Sequence, residues 1–214
     1  MEQNILDEVR EIKKSLRLAM NGVVSTLQRR QGLDYKINFG VEIPRLKGIA
    51  ETHKKNKELA AALWQDNIRE CKMLAILLIP EEEYSTFAEE WIAGTKFTEI
   101  ADQLAMHLLC RLPDAWTKAL QWVTRDDGLF KYCGFLTISH LIRRGETPDR
   151  RQEERFFNSI YSTCTQEGQD ITSRCAFNAL VNYIDRSPDA IERLKKVSSD
   201  IRHTSLRALL ESFE

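Results

Sequence analysis

The chain has 214 residues, 43% of them hydrophobic and 29% charged, which is typical of a folded protein and excludes wholesale disorder. Its longest apolar run, residues 73–80, is far shorter than the roughly 18 residues of a membrane-spanning helix. The N-terminus carries acids in place of a signal peptide's apolar stretch. The net charge is −1, but residues 1–60 hold 12 Lys and Arg against 8 Asp and Glu. We therefore expect a cytoplasmic monomer that does not enter membranes, with its positive charge near the N-terminus.

The five cysteines and four histidines show none of the spacings that bind metals. No CxxC or HExxH occurs, and phosphate-binding glycine loops and nucleophile elbows are also missing. His107 and His140 stand in apolar helical runs, where a partly buried core residue is the ordinary interpretation. The sequence predicts no metal, no cofactor, and cysteines that are small buried residues of a reducing compartment.

Residues 3–30 read as one long or two short helices, with apolar residues from Ile5 to Leu16 nearly in register. Lys13 and Lys14 share this segment and could contact phosphates, although a solvated face is the commoner use of such residues. A loop over 32–40 leads into a helix with Pro44 in its first turn.

A succession of helical hairpins follows, and no stretch keeps the period of two that strands require. Short helices each precede a more apolar one, and Pro, Gly or Asp mark the connections. The first helices are predicted at 57–65, 82–93, 114–124 and 149–163, and the second helices at 68–79, 98–111, 129–143 and 170–185. The four tryptophans occupy apolar positions on first helices and are predicted to be core.

The second helices repeat a pattern of small residues one turn apart. The repeated segments are 71–75, 101–105, 133–137 and 175–179, at spacings of 30, 32 and 42 residues. Small residues at this spacing let neighbouring helices approach closely, and hairpins of this size stack into a solenoid. We therefore predict an all-α solenoid whose inner helices bury Ala101, Ala105, Cys133, Cys175 and Ala179.

Asp102 is the only strong acid in the middle of the predicted helix 98–111. A charged group among apolar and small residues usually has a partner or a task. If second helices line a concave face, Asp102 and Lys72 face a shared groove. A solvated face, or a polar residue at a packing joint, is the alternative.

Several segments resemble the HEAT-like-repeat alkylpurine DNA glycosylases of the AlkD type. They are FGVEIPRLKGIA (39–50), ELAAALWQ (58–65), IRECKMLAILL (68–78), Trp91 to Asp102, and LFKYCGFL (129–136). The likeness covers roughly residues 35–190. It implies an armadillo-type superhelix that holds duplex DNA on a concave, positively charged surface and removes 3- and 7-alkylated purines.

The resemblance places the family's catalytic Asp on Asp102, where a carboxylate can stabilise the oxocarbenium ion or orient water. A cationic alkylated base is already a good leaving group, so one acid can suffice. A family Trp falls at Thr98, beside Phe97, and its Arg falls at Lys131 or Tyr132. A second family Trp falls near Asn178, beside Phe177. With Lys13, Lys14 and Lys72, these are the expected DNA contacts.

Three functions remain open at this stage: a glycosylase, a non-catalytic protein that binds bent or branched DNA, and a scaffold for a protein partner. Steep salt dependence would separate DNA binding from a protein interface. The expected organisation is one HEAT-like-repeat domain over 1–214. It comprises N-terminal helices (1–35), repeats (36–190) and a C-terminal capping helix (191–214).

Overall fold

The computed structural model describes residues 2–164 and 170–197, and this part of the chain contains helices but no strand. A single isolated parallel bridge joins Ile37 to Ile68. The predicted all-α class is therefore confirmed for the described residues. The helices are α1 (Glu2–Leu18), α2 (Gly22–Arg30), α3 (Ile43–Glu51), α4 (Lys57–Gln65), α5 (Arg69–Leu78), α6 (Tyr84–Ala93), α7 (Thr98–His107), α8 (Ala115–Trp122), α9 (Gly128–Arg143), α10 (Arg150–Cys164), α11 (Ile171–Arg186) and α12 (Ala190–Val197).

The predicted helices form with ends shifted by a few residues at most, because their start signals work locally. Five of the described helices begin after an Asn or Asp whose side chain accepts a hydrogen bond from a first-turn backbone N–H: Asn21, Asn56, Asp127, Asp149 and Asp170. The N-terminal segment is two helices, not one. The predicted helix 98–111 ends earlier, at His107, and a 3-10 turn over Leu109–Arg111 follows.

Contacts divide the chain into two compact units, residues 1–89 and 90–214. In the first unit, α4 packs against α5 as a hairpin, α1 packs on α4, and α3 on α5. Val9, Ile12 and Leu16 of α1 are buried in this core, as the register predicts. The tryptophan of α4, Trp64, is buried as well.

In the second unit, α8 pairs with α9 and α10 with α11. The second helices also touch in sequence, α7 on α9 and α9 on α11, while α8 contacts α10. All five small residues that the sequence predicts to be buried on these second helices are buried. The remaining tryptophans, Trp91, Trp116 and Trp122, are buried too. The predicted capping helix is described only as α12, and residues 198–214 lie outside the described residues.

The loop that carries the FGV segment is held by a buried ion pair at the start of α5. The Glu70 carboxylate accepts hydrogen bonds from the backbone N–H groups of Phe39 (3.1 Å) and Val41 (3.2 Å). Arg69 donates to the carbonyl oxygen of Val41 and to Glu70. Because Glu70 is fully buried, these bonds replace the water that the carboxylate loses.

Gly40 has a positive φ of 69°, and a Cβ there would lie 2.3 Å from the carbonyl oxygen of Asn21. Only glycine fits at this approach of the loop to α2.

Candidate active site and nucleic-acid contacts

Asp102 lies half-buried on α7 and accepts a hydrogen bond from the neighbouring helix α9. The Tyr132 hydroxyl donates to Asp102 Oδ1 over 2.9 Å, and the Tyr132 side chain is buried. Ala101 and Leu104 of the same helix are buried, while Asp102 is half-buried. Asp102 therefore lies at the edge of the buried side of α7. The carboxylate therefore combines an oriented oxygen with partial access to solvent.

Burial raises the pKa of Asp102, and the hydrogen bond from Tyr132 opposes that rise by stabilising the charged form. The pKa of Tyr132 is raised by burial and by the negative charge of Asp102, so its hydroxyl stays protonated and remains a donor at neutral pH. The pair is thus an acid in a partly dry environment with a fixed neutral donor beside it. Such an arrangement can stabilise a developing cation, because a carboxylate acts more strongly at lower dielectric.

The thiols near this pair are not reactive groups. Cys133 and Cys175 are buried, and burial followed by the charge of Asp102 raises their pKa values, that of Cys175 to about 12. A neutral thiol is a poor nucleophile and a poor metal ligand. All five cysteines are buried and free of disulfides, as the sequence predicts.

The other site residues predicted in the second unit lie on three different helices or beside them. Thr98 is the first residue of α7 and lies one turn before Asp102, on the same helix face. Phe97 precedes the helix, and both side chains are half-buried. On α11, Phe177 is half-buried and Asn178 is exposed. Lys131 is half-buried on α9, immediately before Tyr132.

The three other predicted lysines belong to the first unit, and two of them have partners inside it. Lys13 forms an ion pair with Asp66 at 2.7 Å. Lys72 donates to the carbonyl oxygen of Trp64 (2.7 Å), and its ammonium lies 4.3 Å from the centre of the Trp64 ring. Lys14 is exposed.

Comparison with models of protein families identifies the family of this chain. A family model described as DNA alkylation repair enzyme matches residues 29–175, more than half of the chain. The chain belongs to the DNA alkylation repair enzyme family. Searches of curated proteins and of solved structures find no match.

The family match spans Lys72, Phe97, Thr98 and the Asp102–Tyr132 pair, so these residues stand within the part that the chain shares with its family. Lys131 also falls within this range. Lys13 and Lys14 precede it, and Phe177 and Asn178 follow it. The FGV loop (residues 39–41) and the Glu70 carboxylate that binds its backbone also lie within the matched range.

Two polar contacts of this chain could not be predicted from the sequence: the hydrogen bond from Tyr132 to Asp102 and the contacts of Glu70 with the FGV loop. In the sequence, Asp102 stands as a lone acid and Tyr132 only as the replacement for an Arg, because a residue 30 positions away gives no spacing signal. Glu70 was not among the predicted site residues, although a carboxylate in the apolar run of α5 was a visible sign of a buried partner.

Within the described part of this chain, no group of three or more His, Cys, Asp or Glu is arranged to hold a metal ion. Among the same residues, no helix has both the length and the apolar character needed to cross a membrane.

Proposed function

We propose that this member of the DNA alkylation repair enzyme family binds duplex DNA and excises 3- or 7-alkylated purines by hydrolysis of the N-glycosidic bond. The observation that carries the proposal is the half-buried Asp102 carboxylate with Tyr132 as its hydrogen-bond donor. The family match supports DNA repair as the general function. A HEAT-like, AlkD-type arrangement of one repeat domain over 1–214 is part of the proposal, supported by the sequential contacts of α7, α9 and α11.

The chemistry needs little equipment from the protein. Alkylation at N3 or N7 makes the purine cationic, so the bond from C1′ to the base breaks with both electrons going to the purine, which leaves as a neutral molecule. The sugar becomes an oxocarbenium ion, water adds to C1′, and a proton is released. Asp102 stabilises the cationic sugar electrostatically, and a general acid is not required.

Tyr132 is a positioning residue in this proposal. Its hydroxyl fixes the direction of Oδ1, and Oδ2 is left to face the sugar. By stabilising the carboxylate, the same bond keeps Asp102 ionised to lower pH than burial alone would allow. Lys131, Phe97 and Phe177 are proposed as contacts to the phosphate and sugar, and Lys14 as a further phosphate contact.

The decisive experiment measures release of 3- and 7-methylpurine from methylated duplex DNA. Asp102→Asn should lower the single-turnover rate by about 10²-fold or more, as loss of one preorganised charge-stabilising group does, and should leave DNA affinity within about twofold. Asp126→Asn makes the same chemical change at an exposed site before α9 and serves as the matched control. Equal activity of wild type and Asp102→Asn would overturn the catalytic role.

Tyr132→Phe tests the positioning role separately. Loss of a hydrogen bond to a charged group should reduce the rate about tenfold. The acid limb of the pH–rate profile should move to higher pH, because removal of the Tyr132 bond raises the pKa of Asp102. A uniform loss of rate at all pH values would mean that Tyr132 acts only through packing.

A non-catalytic DNA-binding protein is the second candidate, and the residues at the family's Trp positions favour it. Thr98 and the exposed Asn178 offer no aromatic face to a sugar or a cationic base. This candidate predicts salt-dependent binding of duplex DNA without any release of methylpurine from the wild type.

A further inference from the structure

The short helix α2 has its polar side turned toward the protein. Ser25 and Gln28, one turn apart, bond through their side chains to the loop that carries the FGV segment, and the backbone of the cap residue Asn21 bonds to the same loop. The backbone N–H of Asn21 donates to the carbonyl oxygen of Phe39, and the Ser25 hydroxyl donates to the carbonyl oxygen of Asn38 (2.7 Å). Gln28 accepts from the Asn38 side chain over 2.9 Å.

The apolar side of α2 points to solvent. Val23 is 72% exposed and Leu27, one turn later, 51% exposed. Leu18 and Met20, just before the helix, are 82% and 61% exposed, and no residue of α2 is buried. A surface helix normally has the opposite orientation, and an exposed apolar face of this kind is typical of an interaction surface.

The charge around this face identifies the kind of partner. Residues 12–33 contain five basic residues and no Asp or Glu. Lys13 pairs with Asp66, and Arg29 donates to the carbonyl oxygen of Tyr35. Arg17, at the end of α1, and Arg30, one turn after Leu27, are exposed. The partner is therefore anionic and also offers apolar surface.

We propose that the outward face of α2, formed by Val23, Leu27 and the adjacent Met20, docks against a groove of duplex DNA. The apolar side chains pack on deoxyribose and base edges, and Arg17 and Arg30 contact the flanking phosphates. With only nine residues and two large exposed apolar side chains, α2 buries too little apolar area to bind a membrane surface stably. The inference rests on the DNA partner of the proposed function and adds a second point of contact with that DNA. Met20, Val23 and Leu27 all precede the residues that the family model matches.

A double variant tests the energetic contribution of the face. Val23→Gln/Leu27→Gln places a good helix former at both exposed positions and removes the apolar side chains. Its affinity for a duplex DNA fragment should fall about tenfold, while the slope of log K against log salt stays unchanged, because apolar contacts release no counterions. Arg17→Gln/Arg30→Gln should instead lower the slope by about two.

Leu6→Gln is the matched control, because it makes the same chemical change on α1, at a leucine that is 48% exposed. It should bind DNA within about twofold of wild type. Unchanged affinity of the Val23→Gln/Leu27→Gln variant would overturn the inference.

A thiol-labelling footprint tests the location directly. All five native cysteines are buried, and burial raises their pKa values, so they label slowly. A Val23→Cys variant therefore carries one rapidly reacting thiol, and saturating duplex DNA should slow its labelling at least fivefold. Leu6→Cys should label at the same rate with and without DNA.

Each other outcome is decisive. Equal labelling of Val23→Cys with and without DNA overturns the inference, as does protection by anionic phospholipid vesicles alone. Protection that increases with protein concentration in the absence of DNA assigns the face to a second copy of the chain. Methylpurine release without protection overturns this inference and leaves the proposed function intact. Protection of the Val23→Cys thiol by DNA without methylpurine release supports this inference and overturns the proposed glycosylase activity.

Discussion

Replacement of Gly134 by Ala should test how closely α8 and α9 approach each other. A Cβ at position 134 would lie 2.6 Å from Val123 Cγ1, 2.9 Å from the carbonyl oxygen of Ala119 and 3.0 Å from the backbone nitrogen of Val123. Ordinary carbon contacts need about 3.5–4.0 Å. The Val123 methyl can rotate away, but the two backbone atoms move only if α8 shifts.

The magnitude follows from two opposing effects. Overpacking of a close joint costs about 1–3 kcal/mol, whereas Ala gains up to about 1 kcal/mol over Gly in a helix interior. We expect a net loss of about 1–2 kcal/mol in the free energy of unfolding. For a chain of this size that lowers Tm by about 2–8 °C.

Urea unfolding followed by circular dichroism, and calorimetry for Tm, measure this effect. Gly48→Ala is the matched control, because Gly48 lies inside α3 and a Cβ there meets no atom within 4 Å. It should gain about 0.5–1 kcal/mol. If Gly134→Ala is stabilised to the same degree, α8 and α9 do not approach closely enough for a Cβ at position 134 to clash.

Two further predictions concern buried charges. Glu70→Gln should cost about 3 kcal/mol in urea unfolding, since it removes the carboxylate charge beside the buried Arg69 and turns an amide NH2 toward the N–H group of Phe39 or Val41. A loss below about 1 kcal/mol would contradict this structural role of Glu70. Asp102→Asn should be at least as stable as wild type at neutral pH, because burial raises the pKa of Asp102 and so penalises its charge. The raised pKa means that the folded chain binds this proton more tightly than the unfolded chain. The free energy of unfolding of wild type should therefore increase relative to that of Asp102→Asn as the pH falls from 7 toward 4. A stability difference between the two that stays constant, or changes in the other direction, would contradict this prediction.

The residues on which the resemblance rests divide into two kinds. The FGV segment is held by structural needs, because Gly40 permits close approach to α2 and the backbone on both sides of it bonds to Glu70. Asp102 has no comparable structural need, since it lies at the edge of a joint whose buried positions are occupied by Ala101 and Leu104. A half-buried acid that the packing does not require is the better indication of function.

The sequence by itself determined the helices, because their signals are local. Caps such as Asn56 and Asp127, the Pro44 turn and the apolar spacing act within one or two turns, so both the helix ends and the buried small residues could be predicted. Only the tertiary structure decided which polar groups meet. Tyr132 reaches Asp102 because α7 packs on α9, and α2 turns Val23 outward because its polar side bonds to a loop held by Glu70. Such pairings depend on how helices distant in sequence are packed together, and no local period encodes them.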